Sequence, residues 1–440
     1  MKRIIYSLVL ASIVIFTSCE KILEVEPTYY ISGDEAIMDK RSVETALNGA
    51  YFGLQATGMY GRHLVTLGDL TADNLDWKGT TQEYGQFENN TLLSDNAMVE
   101  SVWAAHYDVL NRINNVLVKL PEISDMTSAE KENVAGQLYF LRAMAHFNLV
   151  RLFGPIPIKT QPTLDLNSNL NVGRNSVEEV YNSVNSDLEM ATGKITISNA
   201  YYASNNAIIA LQALVALCQQ DYATAKSKAS EVISSGNYAL ETDFAALYTG
   251  APNDESIFTV VFDEQNGNRL AEYFYPTSEG GRYEFAPSET LVASFEETDA
   301  RLAASIQGNP PYCSKYNDLV TMANNVHVIR LAEMYLVRAE AEARLSGSKA
   351  VIRNDINIIR ERALVDPIEF DTFEELLVAI EDERRRELAF EGKRWFELVR
   401  TGRAMDVIES VSTSEQLLFP IPMVEIQNNT NPGMYQNPGY

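Results

Sequence analysis

Apolar residues recur at intervals of three and four over most of the chain beyond Val99, which places them on one face of one helix after another. The spacing predicts helices over 102–120, 128–153, 176–191, 205–219 and 222–235, then over 328–347, 350–363 and 373–380. An earlier helix is predicted over 32–51, with Ser32 as its cap. Consecutive helices suit antiparallel pairs that cross at small residues. The clearest pair runs from Asn206 to Tyr238. Ala210, Ala213, Leu214 and Leu217 line its first helix, Asp221-Tyr222 makes the turn, and Ala225, Ala229, Val232 and Ile233 line the return. The segment LFGPIPI (152–158) stops a helix, because Pro155 lacks the N–H the next turn needs.

Two stretches break this period. From Leu67 to Asn96, Asp69, Asp73, Asn74, Asp76, Asn89 and Asn90 alternate with Trp77, Tyr84 and Phe87. A loop this long in a compact domain is functional or disordered, and one holding Trp argues against disorder. Rings beside amides and carboxylates suit a sugar, whose apolar face stacks on the ring while its hydroxyls bond to the polar groups. Asp73, Asn74, Trp77 and Tyr84 are therefore candidate ligand contacts. The other reading makes Trp77 a loop anchor tucked into the core. The second break covers 236–325. Here SIFTVVF (256–262) reads as a strand, Asn266-Gly267 as a turn, and RLAEYFYP (269–276) as the returning strand of a hairpin. A Gly-, Pro- and Tyr-rich stretch follows, and Tyr273, Tyr275, Arg282, Tyr283, Tyr312 and Tyr316 make the region a second aromatic insertion, in which Tyr283 is the candidate contact. It is either a binding surface or a hairpin lid whose tyrosines pack on the helices.

The densest charge lies in EDERRRELAFEGKRWFELVRTG, Glu381 to Gly402. Leu388, Gly392, Trp395, Phe396 and Val399 fall on one helical face, with Arg384, Arg385, Glu387, Glu391 and Arg394 interleaved. Paired carboxylates and arginines could make a reactive centre. The structural alternative is a helix junction at which the charges pair with each other, as half-buried arginines require. Gly392 either ends one helix and starts another or kinks a single one.

Sixty Asp and Glu against thirty-five Lys and Arg leave a formal charge of −25, spread along the chain, which argues against nucleic-acid binding. Residues 1–18 read as a secretory leader. Lys2 and Arg3 precede an apolar run, Ile4 to Phe16, that is shorter than the ~20 residues needed to cross a bilayer. Thr17 and Ser18 before Cys19 are similar to a bacterial lipobox, which makes Cys19 the acylated first residue of the exported chain. Residues 19–31 then form a tether, and residues 32–440 one domain. Cys218 and Cys313 remain, and their pairing depends on the fold. The four histidines, His63, His106, His146 and His327, have no metal-binding spacing, and nucleophile-elbow, zincin and phosphate-loop motifs are missing. No enzyme, cofactor or metal site is expected, although the Asp- and Asn-rich loops leave calcium open.

The chain also carries RLAEMYLVRAEAEARL, INIIRERA, ERRRELAFEGKRWFELVRTG, FPIP and a closing QNPGY in that order, after an early LEVEP and FGPIP. This series resembles the SusD/RagB family of outer-membrane lipoproteins of Bacteroidetes. The resemblance implies a mostly α fold: tetratricopeptide-like helix pairs form a right-handed helical scaffold, with irregular loop and β-hairpin insertions carrying the binding surface. It also implies a lipid-anchored, cell-surface protein that captures a glycan and passes it to a partner SusC-like TonB-dependent transporter, in the manner of a hinged lid. An oligopeptide ligand is the alternative, as in another branch of the family, and a pure gating adapter is a third. The family's strong motifs are structural, so the charged stretch is expected to be scaffold and ligand contact to fall to the two insertions.

Overall fold

The computed structural model describes residues 36–163 and 170–440. The expected leader over 1–18, the acylated Cys19 and the tether over 19–31 lie outside the described residues. The chain runs α1 (Lys40–Gly53), α2 (His63–Leu70), β1 (Leu75–Trp77), α3 (Gln82–Glu88), α4 (Ala97–Lys119), α5 (Ser128–Phe153), α6 (Val177–Ala191), α7 (Asn205–Cys218) and α8 (Tyr222–Ser234). It continues through β2 (Ser256–Val260), β3 (Phe285–Pro287), β4 (Val326–Arg330), α9 (Leu331–Arg344), α10 (Lys349–Arg362), α11 (Phe373–Glu387) and α12 (Arg394–Thr401). Single turns of helix fill several connections.

Local chemistry sets where the helices begin. Thr127, Ser176 and Thr372 each accept from the backbone three residues on, while Glu130, Glu179 and Glu375 reach back to the cap. Asp39 and Ser42 make the same reciprocal pair ahead of α1, while the predicted Ser32 cap lies outside the described residues. In α5 nearly every residue from Gln137 to Phe153 is buried, which makes it the central helix rather than an amphipathic surface one. Neighbours follow in sequence: α1 packs on α4, α4 on α5, α5 on α6, α7 on α8, α8 on α9, and α9 on both α10 and α11.

The expected hairpin over 256–276 does not form. Strand β2 pairs antiparallel with β4, in a register from Ser256 opposite Arg330 to Val260 opposite Val326. Residues Leu270–Phe274 are instead a helical turn, because Leu270, Ala271, Tyr273 and Phe274 share one buried face where a strand would alternate them. Because β4 takes the residues before Leu331, α9 begins there and not at Val328. The aperiodic stretch 67–96 is not a plain loop either: it holds the end of α2, then β1 and α3, each too short to show a period.

Strand β1 pairs antiparallel with β3, with Leu75, Asp76 and Trp77 opposite Pro287, Ala286 and Phe285. The two irregular insertions are thereby one structure. The proline-rich tail lies across the end of α5: Phe419 N donates to Leu152 O at 2.8 Å, and Asn437 Nδ2 donates to Phe153 O at 3.0 Å. Cys218 and Cys313 are both free thiols.

Candidate ligand-binding surface

In the charged stretch the helical pattern is cut in two. Helix α11 ends at Glu387, Gly392 adopts φ +70°, and α12 starts at Arg394. A Cβ on Gly392 would lie 1.9 Å from Leu64 O, so glycine is required for α2 to approach this closely. The charges around this turn pair with one another. Arg301, Lys315, Arg330, Arg360, Arg362 and Arg386 are linked through ion pairs to Glu255, Glu296, Asp299, Glu383, Glu387 and Glu391, and the connected cluster is neutral. At its centre Glu387 accepts from Arg330 and Arg362, each at 2.5 Å, and from Arg301 at 3.1 Å. Burial alone would raise the Glu391 carboxyl, but Arg330 and Lys315 outweigh it and hold the group at about 2. Glu397 is held at about 2 against the same burial by Arg384 and Arg400. A cavity of about 60 Å³ adjoins α12, and the Arg384, Glu397 and Arg400 side chains that border it are committed to ion pairs. The stretch is a scaffold junction.

That junction also claims two of the predicted contacts. Asp73 receives Arg394 at 2.7 Å and Arg385 at 3.0 Å. Asn74 is buried, donating to Asp69 at 2.7 Å and accepting from Arg385 Nε at 3.0 Å. Asp69 is buried too, and burial pushes its carboxyl up to about 7 despite the hydrogen bonds from Asn74 and Gly392. Tyr84 is 1% exposed and lies edge-on to Phe285 with centroids 4.8 Å apart; burial raises its phenol to about 12. Asn74 and Tyr84 thus offer a ligand no side-chain surface, because the short elements within 67–96 turn them inward. Tyr273 and Tyr316 of the second insertion are core residues as well.

Trp77 and Tyr283 behave differently. Both are partly exposed, and β1–β3 pairing carries them to the same edge although they lie far apart in the chain. One side of the Trp77 ring covers Gly85, where an added Cβ would lie 2.9 Å from Cε3. Its backbone N–H donates to Glu88 at 3.0 Å. Lys78 N donates to Glu284 O at 2.9 Å, which sets Lys78 and Asp76 close enough to Tyr283 to act on its phenol. Tyr283 is held at φ +54° by its N–H on Tyr275 O at 2.9 Å and its hydroxyl on Pro311 O at 3.0 Å. Beside it Tyr275 and Tyr312 pack with centroids 4.4 Å apart, and Arg282 is exposed. The edge therefore carries two partly exposed rings near Asp76, Lys78 and Arg282. Lys78 is a contributor that composition did not single out; only its place across from Glu284 reveals it.

Residues 314–440 match the model of the SusD family, and residues 23–217 match a second model described as starch-binding associating with outer membrane. The chain belongs to the SusD family. Among relatives, the SusD-like protein P38 of Formosa agariphila is 26% identical over 98% of both chains. A solved laminarin binding SusD-like protein superposes with a TM-score of 0.82 at 25% identity, covering 92% of this chain and 100% of that one. The surface glycan-binding protein A of Bacteroides thetaiotaomicron, solved with laminarihexaose, shares the fold with a TM-score of 0.78 at 21% identity, covering 91% and 100%. The SusD family match at residues 314–440 takes in the charged junction and the proline-rich tail. Among the described residues no helix is long and apolar enough to cross a membrane, and no group of three or more His, Cys, Asp or Glu could hold a metal ion. The buried histidines are kept neutral: burial lowers His63 and His146 to about 3 and His106 to about 4.

Proposed function

We propose that this chain is a non-catalytic glycan-binding protein that holds an oligosaccharide at the edge carrying Trp77 and Tyr283 and delivers it to a TonB-dependent transporter of the outer membrane. The observation that carries the reading is the β1–β3 pairing, which merges the two aromatic insertions into one surface. Several features support it. A sugar ring has an apolar face and a polar rim, and this edge offers rings beside charged hydrogen-bonding groups. A non-glycine residue at positive φ costs about 1–2 kcal/mol, and Tyr283 is kept there by two hydrogen bonds that fix its ring. The family's starch-binding description and the laminarin-binding neighbour point to the same ligand class. Asp73, Asn74 and Tyr84 serve this site from beneath, Tyr84 by packing on Phe285 of β3 and Asp73 and Asn74 by fixing the turn into β1.

The outer-membrane reading rests on the family description and on the lipobox-like residues before Cys19. Titration calorimetry of the full chain against laminarihexaose, maltohexaose and a mixture of short peptides tests the ligand class. Heat from a glycan and none from peptides is expected, and binding to peptides alone would sink the reading. Cys19→Ala is expected to release the chain from membranes, and co-purification with a TonB-dependent barrel tests the partner.

A further inference from the structure

A second polar cavity lies away from the aromatic edge, between the 198–201, 250–254 and 324–325 loops and strand β2, and its volume is about 210 Å³. Its loops are anchored, since Thr259 N donates to Ala200 O at 2.8 Å. Three asparagines in its wall share one arrangement. Asn199 Oδ1 accepts from Tyr201 N at 3.0 Å, Asn253 Oδ1 from Glu255 N at 3.1 Å and Ser256 N at 2.9 Å, and Asn325 Oδ1 from Phe262 N at 3.2 Å. Each carboxamide is therefore oriented by its oxygen, which leaves the Nδ2 donors with no protein partner among the described residues. The floor is formed by Ser256, Thr259 and His327, each more than nine-tenths buried. His327 Nε2 lies 2.7 Å from Leu247 O and so carries the proton, and burial keeps the ring neutral. Its bare Nδ1 takes the Ser256 hydroxyl at 2.7 Å, with Thr259 Oγ1 at 3.4 Å, and the hydroxyl oxygens remain as acceptors.

Walls that donate through the asparagines and accept at Asp254, over a floor that accepts, are complementary to neighbouring hydroxyls, each of which does both. Tyr201 and Tyr238 add ring surface for an apolar face. The lining cation, Lys315, donates to Glu391 at 2.9 Å, so the pocket has no uncommitted positive charge with which to favour an anion. At ~30 Å³ per water, the space holds about seven waters, the scale of one sugar ring. We propose that this asparagine-lined pocket is a second sugar site, independent of the aromatic edge, that takes a single neutral pyranose ring.

Ligand-observed NMR on the full chain with glucose, galactose, mannose and N-acetylglucosamine tests this. Saturable binding of at least one is expected. Asn253→Asp and Asn325→Asp keep the oxygen that caps the backbone while replacing the donor, so each is expected to fold and to weaken binding by about tenfold or more. Trp77→Ala is expected to retain the signal. The proposal is overturned if none of the four sugars binds, if binding survives both asparagine substitutions in folded protein, or if Trp77→Ala abolishes it.

Discussion

Glu387→Ala separates the two readings of the charged stretch. The Glu387 side chain is 0% exposed and accepts from three guanidinium groups at 2.5, 2.5 and 3.1 Å. Without it the neutral cluster of six cations and six carboxylates carries one uncompensated positive charge. Arg330 still has Glu255 and Glu391, Arg362 keeps Glu255, and Arg301 keeps Asp299 and Glu383, so the network is weakened and not dismantled. Removing one partner of a buried pair costs about 3–5 kcal/mol, about a fifth or more of the ~5–15 kcal/mol that holds a domain folded. Urea unfolding followed by circular dichroism should show the midpoint falling with the slope unchanged. Ligand affinity of the folded variant should equal that of the parent. A loss below about 1 kcal/mol, or intact stability with lost binding, would refute the scaffold assignment.

Other consequences are as specific. Gly392→Ala combines a left-handed backbone with a Cβ 1.9 Å from Leu64 O, and should cost about 2–4 kcal/mol in the same urea assay. Tyr84→Ala should cost about 3–5 kcal/mol as a core truncation, whereas Tyr84→Phe should leave glycan affinity unchanged in calorimetry. Glu391 and Glu397 titrate at about 2 when folded and near ~4.3 when unfolded, so the folded state binds fewer protons in that interval. Their contribution is fully present above about pH 4.3 and is lost as pH falls toward 2. Acid unfolding should therefore steepen in that window, and Glu391→Gln should flatten it.

Helices with a reciprocal cap and a long apolar face, such as α5, α6 and α11, were legible within a residue of their observed starts. The tertiary pairings were not. β2 finds its partner in β4, beyond a long intervening stretch, while the nearer RLAEYF segment has a helical face that the Asn-Gly turn signal obscured. Within 67–96 the elements are too short for a period to emerge, so composition alone could not separate Tyr84, turned inward onto Phe285, from Trp77, left partly exposed over Gly85. The charged stretch read correctly as paired, but its partners Arg301, Lys315 and Arg330 come from elsewhere in the chain. The asparagine pocket had no sequence signal, since its donors lie on three separate loops.

On the proposed function, the joined insertions form the glycan-binding edge. Calorimetry with the oligosaccharide that binds best, on the parent, Trp77→Ala and Tyr283→Ala, decides this. Each substitution should weaken binding at least tenfold, about 1.4 kcal/mol, while the unfolding midpoint stays within that of the parent by about 1 kcal/mol. Undiminished affinity in both folded variants would place the glycan elsewhere.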